Sequence, residues 1–222
     1  MICLIIATAF EAGGLIDQLQ VDNSYLPQKL ILADGLSVIL SGPGPVNAGL
    51  SLTLLQEVLE SDPETHFINA GIAGSLSGDP LMSIHYPTQF SFDVGSPAES
   101  VSPGLMNQSY PLLDSVEGAH LVTVPAPLWD KKYGQELAEK GCDLVDMEAY
   151  VFARWAELKK AQISFVKIIS DNGNEDQKHL FMVNAKSAVV VLVEGLKCLR
   201  GLISKQETVN LQELKKCFGS KI

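Results

Sequence analysis

"DLVDMEAYVFARWAE", residues 143–157, changes character in its middle. It opens like the end of a buried strand and continues as a largely apolar helix, with Phe152 and Trp155 reading as core residues. Two carboxylates, Asp146 and Glu148, flank Met147 at the changeover. A strand handing directly to a helix is the unit of an α/β fold. A carboxylate surrounded by residues that should be buried needs hydrogen-bond donors, or a ligand that supplies them.

The same unit recurs on both sides. "ICLIIATAF" is a continuous apolar run of strand length, suited to a strand covered on both faces, and "EAGGLIDQL" follows as a short helix. "KLILA" and "LSVILSG" read as two strands around an Asp34-Gly35 turn. "PVNAGLSLTLLQEVLES" reads as a helix with Pro45 in its first turn and an apolar stripe at Leu50, Leu54, Leu55, Val58 and Leu59. "THFINAGIAGS" is a strand running into a glycine-rich loop. From Ser77 to about Gly118 helical periodicity is absent, and short strands with a long functional loop are expected.

Strand "AHLVTVPA", helix "PLWDKKYGQELAEKG", strand "ISFVKIISD" and a long helix from about Lys178 to Ile203 complete the pattern. The expectation is a single three-layer α/β domain over residues 1–203, with a mixed, mostly parallel central sheet flanked by helices. Residues 204–222 are expected to form a helical tail or an appendage.

Composition narrows the function. Of 222 residues, 46% are hydrophobic and 19% charged, which fits a well-buried core, and the net charge of −10 opposes a nucleic-acid partner. Between Lys29 and Lys131 there is no Lys or Arg, and the only arginines are Arg154 and Arg200. The four cysteines are scattered without CxxC spacing, so no metal site is expected, and Cys3 and Cys142 read as packing residues. No signal peptide or membrane span is seen, and a cytoplasmic protein is expected. His66 and His120 read as edge or surface residues.

Ligands of open α/β sheets bind beyond the carboxyl ends of the strands. Glu11, Asp171 and the Asp146–Glu148 pair stand at three such ends, and "SGPGPVNAG" and "NAGIAGS" at two more, with no cation at any of the five. "GPGPVNAG" is a poor dinucleotide fingerprint, because Asn47 stands where the third glycine belongs.

In order, "IIATAFEA", "SGPGPVNAG", "INAGIAGSL", "VDMEAYVFA" and "KIISDNGNED" resemble the nucleoside phosphorylase and nucleosidase superfamily, and its hydrolytic branch most. That branch holds methylthioadenosine/S-adenosylhomocysteine nucleosidases and futalosine hydrolases. The resemblance spans about residues 2–200. It implies that Glu11 activates the attacking water and that Asp171 protonates the purine N7. It implies that Met147 and Glu148 hold the ribose, with Ala70, Gly71 and Ser75 as lesser substrate-binding candidates. No cofactor is implied, and the expected partner is a small purine nucleoside, in a homodimer.

The shortage of arginine favours water over phosphate as nucleophile, since phosphate is usually held by guanidinium groups. "FSFDVGSPAE" looks more like the corresponding segment of futalosine hydrolases, which tilts the reading toward futalosine, a menaquinone precursor. Methylthioadenosine or S-adenosylhomocysteine is the alternative. A phosphorylase and a non-catalytic nucleoside binder are less favoured. Phe90, Phe92, Leu105, Met106, Pro125 and Trp129 are the candidates for clamping the purine.

Overall fold

The computed structural model describes residues 1–16, 27–32, 36–94, 110–111, 118–172, 179–204 and 209–219. Strand and helix alternate as β1 (Ile2–Ile6), α1 (Ala9–Ala12), β2 (Gln28–Ile31), β3 (Ser37–Leu40), α2 (Pro45–Ser61) and β4 (His66–Ser75). Then follow β5 (Ile84–His85), β6 (Gln89–Phe92), β7 (Tyr110–Pro111), β8 (His120–Thr123), α3 (Lys131–Glu139), β9 (Leu144–Asp146) and α4 (Ala149–Lys159). The chain continues through β10 (Gln162–Asp171), α5 (Phe181–Ser204) and α6 (Leu211–Phe218). The Asp34-Gly35 turn, Leu105 and Met106 lie outside the described residues.

One mixed sheet runs β2-β3-β1-β4-β9-β8-β6-β7, with β10 on the other side of β4. β4 pairs in parallel with both β1 and β10, and its last residues, Gly74 and Ser75, turn to antiparallel pairing with β9. The long β4 is therefore the hub at which the carboxyl ends of β1, β9 and β10 converge. What the sequence suggests as a glycine-rich loop is strand through to Ser75.

The apolar run of β1 is continuous because both faces are covered. Leu4 and Ile6 pack with Leu192 and Leu196 of α5 in one core, while Cys3 and Ile5 pack with Leu55 of α2 and Phe152 of α4 in the other. This is the strand period of two, with a hydrophobic helix layer on each side. α2 occupies the expected residues, but its buried stripe is Ala48, Ser51, Leu55 and Val58, and Leu50 faces solvent. Ser51 is accepted inside because its hydroxyl donates to the Ala48 carbonyl. His66 is not an edge residue. It opens the central β4 half-buried, with its ring between the Val209 carbonyl and the Ser164 hydroxyl at 3.2 and 2.9 Å.

The C-terminal segment folds onto the domain. Leu214 and Phe218 of α6 join Leu196 and Leu199 of α5 in the first core. The helices meet where α5 has Gly195: a Cβ there would lie 2.0 Å from Cδ1 of Phe218. Replacing a mid-helix glycine by alanine ordinarily stabilises by about 1 kcal/mol. Here Gly195→Ala is expected to lower the melting temperature instead, because overpacking of ~1–3 kcal/mol or more outweighs that gain. A raised melting temperature would show that α6 does not sit this close.

Candidate active site

Each candidate side chain is set by the chain at or just after a strand end. After β1, Thr8 caps α1 and receives the Glu11 amide at 3.2 Å, while the Thr8 amide and hydroxyl donate to Glu11 Oε2 at 3.1 and 3.0 Å. This reciprocal capping box fixes Glu11. The Ile72 amide, from β4, donates to Glu11 Oε1 at 3.1 Å. Burial pushes the Glu11 carboxyl above the ordinary carboxylate range, against the opposing hydrogen bonds and Lys167.

After β9 the chain turns at Met147 into α4. Glu148 turns inward there, and its Oε1 accepts the Gly44 amide at 2.6 Å, tying α4 to the loop after β3. Burial, then the charge of Asp146, pushes Glu148 up to about 8, despite Lys167 and the Gly44 amide. At the end of β10, Ser170 donates to Asp171 Oδ2 at 2.8 Å.

Glu11, Glu148 and Asp171 line one cavity of about 300 Å³, together with Met147. The glycines of "AGIAG" earn their place against these acids: a Cβ on Gly71 would lie 2.9 Å from Glu11 Oε1, and one on Gly74 would lie 2.9 Å from Asp171 Oδ1. The backbone thus approaches carboxylates, where the sequence suggested approach to a flat ligand. Ala70 and Gly71 do not line the cavity, whereas Ile72, Ala73 and Gly74 do. Ser75 also lies off it; its hydroxyl engages Asp79 as part of a turn.

The far wall is apolar. Trp129, just before α3, meets Phe181 at the start of α5 edge-on, with ring centroids 5.3 Å apart, and both line the cavity. Of the other aromatic candidates, Phe90 is core against Phe165 and Phe92 packs on Tyr150. Pro125 is exposed, and Pro127 lines the cavity in its stead.

The sequence pattern also suggested a site without cations. Lys167, in the middle of β10, corrects this: its Nζ lies 2.8 Å from Asp146 Oδ2, beneath the cavity. Burial works to lower its pKa, but Asp146, Glu148 and Glu11 together hold the ammonium above its ordinary value. The signal was present as a lone lysine in the apolar run "ISFVKIISD". Arg154, by contrast, pairs with Glu157 on the outer side of α4.

Among the described residues no helix is long and apolar enough to cross a membrane. The model of the phosphorylase superfamily matches residues 2–197. No curated protein matches the sequence significantly. Among solved structures, the chain is similar to the 5'-methylthioadenosine/S-adenosylhomocysteine nucleosidase of Helicobacter pylori: TM-score 0.68 at 17% identity, covering 92% of this chain and 97% of that one. It is similar to the futalosine hydrolase of Helicobacter pylori strain 26695, with TM-score 0.68 at 16% identity over 92% and 97% of the two chains. The 5'-methylthioadenosine/S-adenosylhomocysteine nucleosidase of Neisseria meningitidis, in complex with methylthio-immucillin-A, gives TM-score 0.65 at 18% identity over 86% and 94%.

Proposed function

Because this chain belongs to the phosphorylase superfamily, we propose that its carboxylate-lined cavity cleaves the N-glycosidic bond of a purine nucleoside with water. The convergence of Glu11, Glu148 and Asp171 on one cavity carries the reading. Breaking the C1′–N9 bond builds positive charge on the sugar and leaves the electron pair on the base. Asp171 gives a proton to the purine N7, so the base leaves neutral. Glu11 takes a proton from the water that attacks C1′, and Glu148 accepts hydrogen bonds from the ribose hydroxyls beside Met147. The flanking negative charge stabilises the oxocarbenium-like transition state. Trp129 and Phe181 are the aromatic surface for the base.

Water is favoured over phosphate because no lysine or arginine lines the cavity among the described residues, and Lys167 is already engaged by carboxylates. Purine release is expected to be independent of added phosphate, with free sugar as co-product. Accumulation of ribose 1-phosphate, read by chromatography, overturns the hydrolytic reading.

The 5′ group separates two substrate classes. The cation-free, apolar lining, with Phe10 and Met182, favours an uncharged 5′ substituent of the methylthio kind. The "FSFDVG" resemblance favours the carboxylated aromatic group of futalosine, and with it a place in menaquinone synthesis. Relative kcat/KM on methylthioadenosine, S-adenosylhomocysteine, futalosine, aminodeoxyfutalosine and inosine decides between them.

In this reading the enzyme is a cytoplasmic homodimer. The four free thiols accord with that compartment, and exposed Phe10, Val46 and Leu50 offer apolar surface for a second copy. Light scattering on the purified protein tests the assembly.

A further inference from the structure

The ion pair beneath the cavity is unusual for its depth. The side chains of Lys167 and Asp146 are 3% and 1% exposed. In β10, Val166 and Ile168 belong to the α5 core and Phe165 and Ile169 to the α2–α4 core. Strand alternation therefore puts Lys167 on the α2–α4 side, where an apolar side chain would serve packing without any cost of desolvating a charge.

Asp146 also performs a second task. Its Oδ1 accepts the Thr123 hydroxyl at 2.7 Å and the Glu148 amide at 3.2 Å, and its Oδ2 accepts the Ala149 amide at 3.0 Å. Thr123 in turn accepts the Tyr150 amide at 2.9 Å. Glu148 itself stands at the N-cap position of α4 without using its side chain there. The cap that a helix N-terminus requires is supplied from two residues earlier, which leaves the Glu148 carboxylate free to turn into the cavity.

We propose that the buried Asp146–Lys167 pair is the positioning element of the sugar-binding carboxylate: Asp146 holds the first turn of α4, and Lys167 supplies the counter-charge that offsets Asp146 beside Glu148. This rests on the reading of Glu148 as the ribose acceptor. Four groups face Glu148 electrostatically or across the cavity: Asp146 on β9, Lys167 and Asp171 on β10, and Glu11 on α1. Asp146 and Glu11 raise its pKa and Lys167 lowers it. The pair thus acts on Glu148 with opposite signs from its two ends.

That opposition gives the test. Asp146→Asn and Lys167→Met are prepared singly and together. Titration of the Glu148 carboxyl is followed by ¹³C NMR in the ligand-free protein, and the pH dependence of KM for the best nucleoside of the panel is measured beside it. KM should fall as pH rises through the Glu148 titration. Lys167→Met should move both curves to higher pH, Asp146→Asn should move both to lower pH, and the double variant should return toward wild type. The double variant also guards against a single variant that does not fold, since removing a buried pair together is milder than orphaning one charge. NMR shifts in one common direction, or none, overturn the inference while leaving nucleoside cleavage standing. Opposite NMR shifts with a KM profile that does not follow them refute the ribose role of Glu148, and the inference with it. A merely structural pair would lower stability in each variant without moving the two curves apart.

Discussion

Asp171→Asn is expected to lower kcat on an unmodified purine nucleoside by about 10²–10⁴-fold, the usual contribution of a positioned general acid. The substitution keeps shape. Ser170 donates to the carboxylate at 2.8 Å, and an asparagine carbonyl accepts that bond equally well. Gly74 leaves room at Oδ1, so the amide group meets no new side chain. What asparagine lacks is a proton to release. The loss should therefore depend on the leaving group. A 7-methylated purine nucleoside carries its positive charge already and leaves without protonation, so the variant should cleave it at nearly the wild-type rate. Circular dichroism and thermal unfolding should match the wild type. Near-normal kcat on the unmodified nucleoside, or an equal loss on both substrates, removes Asp171 from the general-acid role.

The acids that share the cavity were legible because strand ends in an α/β chain announce themselves. Glu11, Glu148 and Asp171 each stand at or just beyond the end of an apolar strand, Asp171 as the last residue of β10, Glu11 on α1 after β1 and Glu148 at the head of α4 after β9. What joins two distant strands was not legible. Asp146 and Lys167 lie on β9 and β10, which are not neighbours, and only the three-dimensional approach of the end of β9 to the middle of β10 makes the 2.8 Å contact. A rule was still available: a lysine within a strand covered on both faces needs a buried counter-charge, and few acids stood near a strand end to provide it. The aromatic wall was legible only in part: Trp129 stood among the candidates for clamping the base, and Phe181 did not. Trp129 precedes α3 and Phe181 begins α5, so neither belongs to a motif. In the glycine segment the reading went astray on conformation. Glycines suggested a loop, yet β4 is strand to Ser75, and the missing side chains make room for Glu11 and Asp171. The strand continues past the cavity, and this carries Ser75 away from it.

Glu11→Gln is expected to lower kcat by about 10²–10⁴-fold while making the ligand-free protein more stable at alkaline pH. The two effects share one origin. Glu11 is buried, and desolvation raises its pKa in spite of the donors from Thr8 and Ile72. A carboxyl whose folded pKa exceeds the unfolded value of about 4.3 binds its proton more tightly in the native state. Its stabilising contribution is complete below that unfolded value and is lost as pH rises through the elevated folded one. At higher pH the wild type therefore carries an ionised buried group at a cost to stability, and this is the charge that the proposed role of accepting a proton from water requires. Glutamine has no charge to desolvate. Against this gain, its amide group must face the Thr8 or the Ile72 donors with one donor of its own, a penalty that does not change with pH. The difference in melting temperature, variant minus wild type, should thus grow as pH is raised from about 4, while the rising limb of the wild-type kcat profile disappears in the variant. A difference that stays flat or shrinks with pH would mean that Glu11 is not an elevated buried acid in the free protein. Retention of the rising limb would assign it to another group and leave Glu11 as a mere cap of α1.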